Sequence, residues 1–148
     1  GAVGFDAVNP LVEALLLSDN VTVRVSAAKA LAQVAINYSD TSFPPIGMEG
    51  LKTALNDTNP VVNIAAAMAL GEIGPPAVDI LVQALQATDN PALAISLVNA
   101  LASIGDTRVV EVLTSLTQDE STDSYVRESA VSALSRLEMV LKFNAGER

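Results

Sequence analysis

Apolar and polar positions along this chain fall into a pattern that repeats. The stretch Asn59 to Ile73 (Asn-Pro-Val-Val-Asn-Ile-Ala-Ala-Ala-Met-Ala-Leu-Gly-Glu-Ile) has weaker counterparts at Asn20 to Val34, Asn90 to Ile104 and Asp123 to Leu137. Each opens on a residue whose side chain can accept a hydrogen bond from the first turn of a helix. Each carries Ala-Leu at the same late place: Ala30-Leu31, Ala69-Leu70, Ala100-Leu101 and Ala133-Leu134. A shorter apolar pattern precedes each one, beginning at Leu11, Leu51, Leu81 and Leu113. Aligned on the fourth residue after the cap (Arg24, Asn63, Ala94, Arg127), the copies are 39, 31 and 33 residues apart. The unit is therefore helix, short turn, helix, four times over, and a period in this range marks stacked helical repeats.

Local signals agree with that reading. Pro60 and Pro91 follow two of the caps directly, where a missing N–H removes no helix bond. Gly74 and Gly105 stand just past two of the long segments, as left-handed residues at helix C-termini do. Two stretches conflict: Val21-Thr22-Val23-Arg24-Val25 alternates like a strand, and Arg108 to Val112 is β-branched. The repeat alignment outweighs them, because the matching places in the other copies carry Pro, Ala and Leu. One helix pair cannot bury its apolar face, but stacked pairs can. The expectation is an all-α fold, an α-α superhelix (a right-handed solenoid) in a single domain over 1–148. Its repeats run over about 6–37, 46–74, 75–105 and 106–143, with an inserted linker at 38–46.

The helix pair, the Asp-Asn or Asp-x-Asn-Pro turn, Val-Arg after the cap, then x-x-Ala-x-x-Ala-Leu and Ile-Gly, resembles the HEAT repeat. More narrowly, it is similar to the short HEAT-like repeats of phycobilisome lyases and related proteins. The resemblance covers roughly residues 6 to 138. It implies a ladder between repeats made by the Asp before the cap and the Arg after it. Asp19 with Arg24 fits that ladder and Arg127 keeps its half, while Asn63 and Ala94 depart from it.

Composition narrows the chemistry. Half of the 148 residues are apolar but only 3% are aromatic, so the core is built from Ala, Val, Leu and Ile and its helices must approach closely. No apolar run reaches membrane-spanning length, so membrane insertion is not expected and the reading is a cytoplasmic chain. The absence of Cys excludes disulfides, thiol nucleophiles and thiolate metal sites, and the absence of His removes the commonest general base and metal ligand. A net charge of −9 with eight basic residues argues against nucleic acid. Sequons at Asn20, Asn37 and Asn56 are read as chance occurrences of a short pattern. Asp119, Glu120 and Asp123 could surround a hard cation, but they lack the glycine and spacing of a calcium loop. No catalytic residue, cofactor or metal is assigned.

Function is then expected on the concave face, which the second helices line. Positions at helical spacing give Thr22, Ser26, Lys29, Gln33; Val61, Ala65, Met68, Glu72; Ala92, Ser96, Asn99, Ser103; and Tyr125, Ser129, Ser132, Arg136. The residues expected to touch a partner are Thr22, Lys29, Gln33, Met68, Glu72, Asn99, Tyr125 and Arg136, with Met68 and Tyr125 as anchors. Tyr38 and Phe43 in the linker join them, or else Phe43 folds back over the seam between two repeats. The first repeat lacks the polar outer face of a terminal repeat, so its end is expected to be covered by a preceding repeat, a second copy or a partner. The leading expectation is a non-enzymatic scaffold that binds a protein or peptide. What the resemblance implies instead is a bilin lyase component or a phycobiliprotein chaperone, in which the acceptor protein would supply the cysteine. A structural segment of a longer repeat array is the third reading.

Overall fold

Four short helices alternate with four longer ones, and each long helix starts from a side-chain cap. A computed structural model describes the chain at residues 8–37 and 44–146, with side chains as far as residue 143. Among the described residues there are eight α-helices and no strand. They are α1 (Val8–Leu17), α2 (Val21–Asn37), α3 (Pro45–Ala54), α4 (Pro60–Ile73), α5 (Val78–Ala87), α6 (Pro91–Ile104), α7 (Arg108–Gln118) and α8 (Ser124–Gly146), with a 3₁₀ turn at Pro75–Ala77 between α4 and α5. The fold is the all-α helix-pair repeat expected from the sequence, in four pairs. It divides into two compact units, 1–77 and 78–148, each with two of the pairs.

The caps explain where the long helices begin. Asn59 Oδ1 accepts from the Val61 N–H at 2.9 Å, Asn90 Oδ1 from Ala92 at 3.0 Å, and Asp123 Oδ1 from Tyr125 at 2.9 Å. Asn20 Oδ1 accepts from Val23 at 3.2 Å. These bonds satisfy donors that no intrahelical carbonyl can reach. The strand-like stretch Val21 to Val25 is therefore the first turn of α2, and Arg108 to Val112 opens α7. In α7 the buried residues are Val109 and Leu113, one helical turn apart, so tertiary burial overrides β-propensity there. Gly105 ends α6 in the left-handed region (φ 73°). Gly74 ends α4 at φ 95°, ψ −144°, a backbone conformation that only glycine adopts without strain.

In the first unit the short helices α1 and α3 pack on each other, as do the long helices α2 and α4. Leu15, Leu31, Leu51 and Leu70 are fully buried at its centre. Ala27, Ala28, Ala65, Ala66, Ala67 and Ala69 are also buried, so the long helices meet through small side chains, which permits close approach. Gly50 does the same for the short helices: a Cβ there would lie 3.0 Å from both methyls of Val12.

In the second unit the core is Leu81, Leu97, Leu101, Leu113 and Leu137. Here the long helices α6 and α8 pack together, and each short helix packs on its own long partner. The short helices α5 and α7, however, make no comparable contact, so the outer layer of this unit is open.

One expectation about the repeats is corrected. Arg24 does not pair with Asp19 of its own turn. Its Nε donates to the Leu15 carbonyl at 2.8 Å, and its guanidinium forms a salt bridge with Asp57, in the turn of the second repeat. The rung thus runs forward from one repeat to the next. At the matching place in the second repeat, Asn63 is too short for this; its Nδ2 donates to the Asp57 carbonyl at 3.1 Å.

Candidate functional site

The long helices of the first unit hold a groove between them. It has a volume of about 400 Å³. Val25 and Lys29 come from α2; Pro60, Val61, Ile64, Ala65, Met68, Ala69 and Glu72 come from α4. The floor is apolar because the Ala seam keeps the helices close and leaves only aliphatic side chains along it. Val61 and Met68 are 54% and 56% exposed, so the groove presents apolar side chains to solvent. Lys29 and Glu72 are its two charged residues. Three of the residues expected from the sequence, Lys29, Met68 and Glu72, therefore share one depression.

The other candidates are placed differently. Thr22 and Gln33 are exposed on α2 outside the groove; Gln33 Nε2 donates to Asn37 Oδ1 at 3.4 Å. In the second unit, Arg136 on α8 donates from Nη2 to Asn99 Oδ1 on α6 at 2.9 Å, so the structure brings these two together. Tyr125 stands in the first turn of α8 and is 70% exposed. Tyr38 and Phe43 lie outside the described residues.

A second, larger depression was not anticipated. It lies in the second unit, where α5 and α7 do not close on each other, and its volume is about 870 Å³. Val112 and Leu116 give it half-buried apolar side chains over the buried Leu85, Ala94 and Val126, and Asp89, Glu111, Asp119 and Asp123 its carboxylates. The carboxyl of Asp119 is held below its ordinary value, first by the Ser121 hydroxyl and then by the Ser121 backbone N–H. Arg108, the cleft's one cation, is tied to Asp106 by bonds of 2.8 and 3.1 Å. That pairing raises the Arg108 guanidinium and lowers the Asp106 carboxyl. No group of acidic residues among those described is arranged to hold a metal ion.

Residues 48–135 match the family described as HEAT repeats. The chain is a HEAT-repeat protein. Its fold matches that of human deoxyhypusine hydroxylase with a TM-score of 0.81, over 97% of this chain and 47% of that one, at 23% identity. It spans a little under half of that enzyme, and the likeness concerns the fold alone. Two relatives are closer in sequence. An uncharacterized phycocyanin operon protein Z of Pseudanabaena tenuis (strain PCC 7409) is 62% identical over 143 residues, covering 97% of this HEAT-repeat chain and 71% of the relative. The bilin biosynthesis protein CpeZ of Synechococcus sp. (strain WH8020) is 34% identical over 142 residues, covering 92% and 76%.

These relatives overturn the leading functional expectation. The expectation of a non-enzymatic scaffold for a protein or peptide on the concave face rests on repeat scaffolds seldom doing anything but binding. The names of the two relatives point to bilin biosynthesis and phycocyanin instead. Repeat architecture is shared by binding proteins and enzymes alike, so surface character alone could not make that distinction.

Proposed function

We propose that this chain serves the attachment of a bilin to a phycobiliprotein, as a lyase component or chaperone that holds the open-chain tetrapyrrole and presents it to the acceptor. What supports the reading most is the 34% identity, over 92% of this chain, with a bilin biosynthesis protein. The groove of the first unit has chemistry suited to such a substrate. A bilin has a long conjugated apolar body, two propionates and pyrrole N–H groups. The aliphatic floor fits the body, and Met68 adds a side chain that adapts to an irregular partner. Lys29 is placed to pair with a propionate, and Glu72 to accept from a pyrrole N–H. The volume of about 400 Å³ lies in the ordinary range of ligand sites, roughly 300–1,000 Å³.

The chain has neither cysteine nor histidine. It offers no thiol to bond the bilin and no imidazole to move its protons, so the acceptor supplies the thiol and this chain positions the substrate. Asn99, Tyr125 and Arg136 of the second unit are the proposed contacts for the acceptor.

Titration of a free bilin with the purified chain tests this, read by absorption and fluorescence. A saturable spectral shift is expected, weakened about tenfold by Lys29→Glu and by Met68→Asp. No shift at excess protein would remove the reading. A shift unaffected by both substitutions would move the site out of the groove.

A further inference from the structure

The cleft of the second unit is not explained by bilin chemistry. Four carboxylates face it, while its one cation is committed to Asp106, with Asp79 3.9 Å away. An anionic tetrapyrrole would meet repulsion there, as would any phosphate-bearing ligand. The cleft nonetheless presents apolar side chains between these carboxylates. Val112 and Leu116 are only half-buried, because no neighbouring short helix covers them. In the first unit the corresponding layer is closed by α1 against α3.

From the opened outer layer and the charge around it, we infer that this cleft docks a cationic amphipathic helix of a partner protein. The apolar stripe of such a helix lies along Val112 and Leu116, in the place a packed short helix would otherwise take. Its Lys or Arg side chains reach Glu111 on α7 and Asp89 in the turn after α5. Neither of these two carboxylates makes a side-chain hydrogen bond or salt bridge to another described residue, so both are available. A volume of about 870 Å³ gives room for one helix face rather than for a single side chain. The inference does not depend on the bilin reading, since it concerns a different unit and a ligand of opposite charge.

The experiment uses the full chain and a fluorescently labelled peptide of about 18 residues, a helix roughly 27 Å long, with Leu on one face and Lys on the other. Its mirror has Glu in place of every Lys. Anisotropy titration should show saturable binding of the Lys peptide, weakened by added salt, and none of the Glu peptide. Asp89→Lys with Glu111→Lys should weaken binding about tenfold or more. The matched pair Glu13→Lys with Glu49→Lys changes the net charge equally, on α1 and α3, and should leave binding unchanged. Ser115→Trp, which fills the cleft without altering charge, should also abolish binding. Equal loss in the two charge-reversed pairs would mean attraction by net charge alone and would overturn the proposal. So would undiminished binding by Ser115→Trp, or no saturable binding to the parent chain. Circular dichroism confirms that each variant is folded before it is compared.

Discussion

Arg24 and Asp57 carry one of the sharpest residue-level consequences in the chain. Their side chains are only 14% and 16% exposed. Burial pushes the Asp57 carboxyl up, but the Arg24 hydrogen bond, the Asn59 backbone N–H and the Arg24 charge together outweigh it, so the carboxyl ends below its ordinary value of 3.8. A lowered folded-state value contributes stability above pH 3.8 that is lost as pH falls through the folded value. Asp57→Asn should therefore cost about 2 kcal/mol at neutral pH, the scale of a hydrogen bond to a charged group. The difference from the parent chain should shrink as pH drops below 3.8. Urea unfolding across that range checks it, and a pH-independent difference would reject the account. The rung was half legible in the sequence: Arg24 stood out by its place after the cap. Its partner did not, because Asp57 lies 33 residues away and only the stacking of repeats brings the two together.

At the scale of the helix, sequence and structure agree where the signal is local and part where it is not. The four caps and the two terminal glycines are short-range chemistry, and all six sit where the pattern of residues puts them. The tight contact of α1 with α3 had no such signal. Gly50 reads as a poor helix residue, yet its missing Cβ is what lets Val12 approach. Gly50→Ala gains roughly 1 kcal/mol of helix propensity but overpacks against a β-branched side chain that cannot swing aside, at about 1–3 kcal/mol. A net loss of about 1 kcal/mol is expected. In a Val12→Ala background the same change should instead stabilise, by up to about 1 kcal/mol. A double-mutant cycle by denaturant unfolding reads this coupling; identical effects in both backgrounds would show that the contact is not what limits the site.

For the whole molecule, charge and packing set the terms. No histidine is present and the net charge is −9, so no side chain with an ordinary value between pH 5 and 8 is available to titrate. The lowered carboxyls of Asp57, Asp106 and Asp119 lose their contribution below 3.8. Urea midpoints should thus stay level from about pH 8 to pH 5 and fall on further acidification, with least solubility near the isoelectric point of 4.2. A midpoint that drifts between pH 5 and 8 would contradict this. The groove residues Lys29, Met68 and Glu72 were readable because helical spacing aligns them. The cleft was not, because Val112 and Leu116 look like core residues until α5 fails to cover them. The alanine seam between α2 and α4 has a last, thermodynamic consequence. Alanine has no rotamers to lose, so ordering the seam residues themselves costs backbone entropy and almost no side-chain entropy. The seam buries little apolar area per residue, but little freedom is given up to form it. Around it, Met68 keeps its three rotatable bonds, so the wall of the groove is stiff while its most exposed apolar side chain remains mobile.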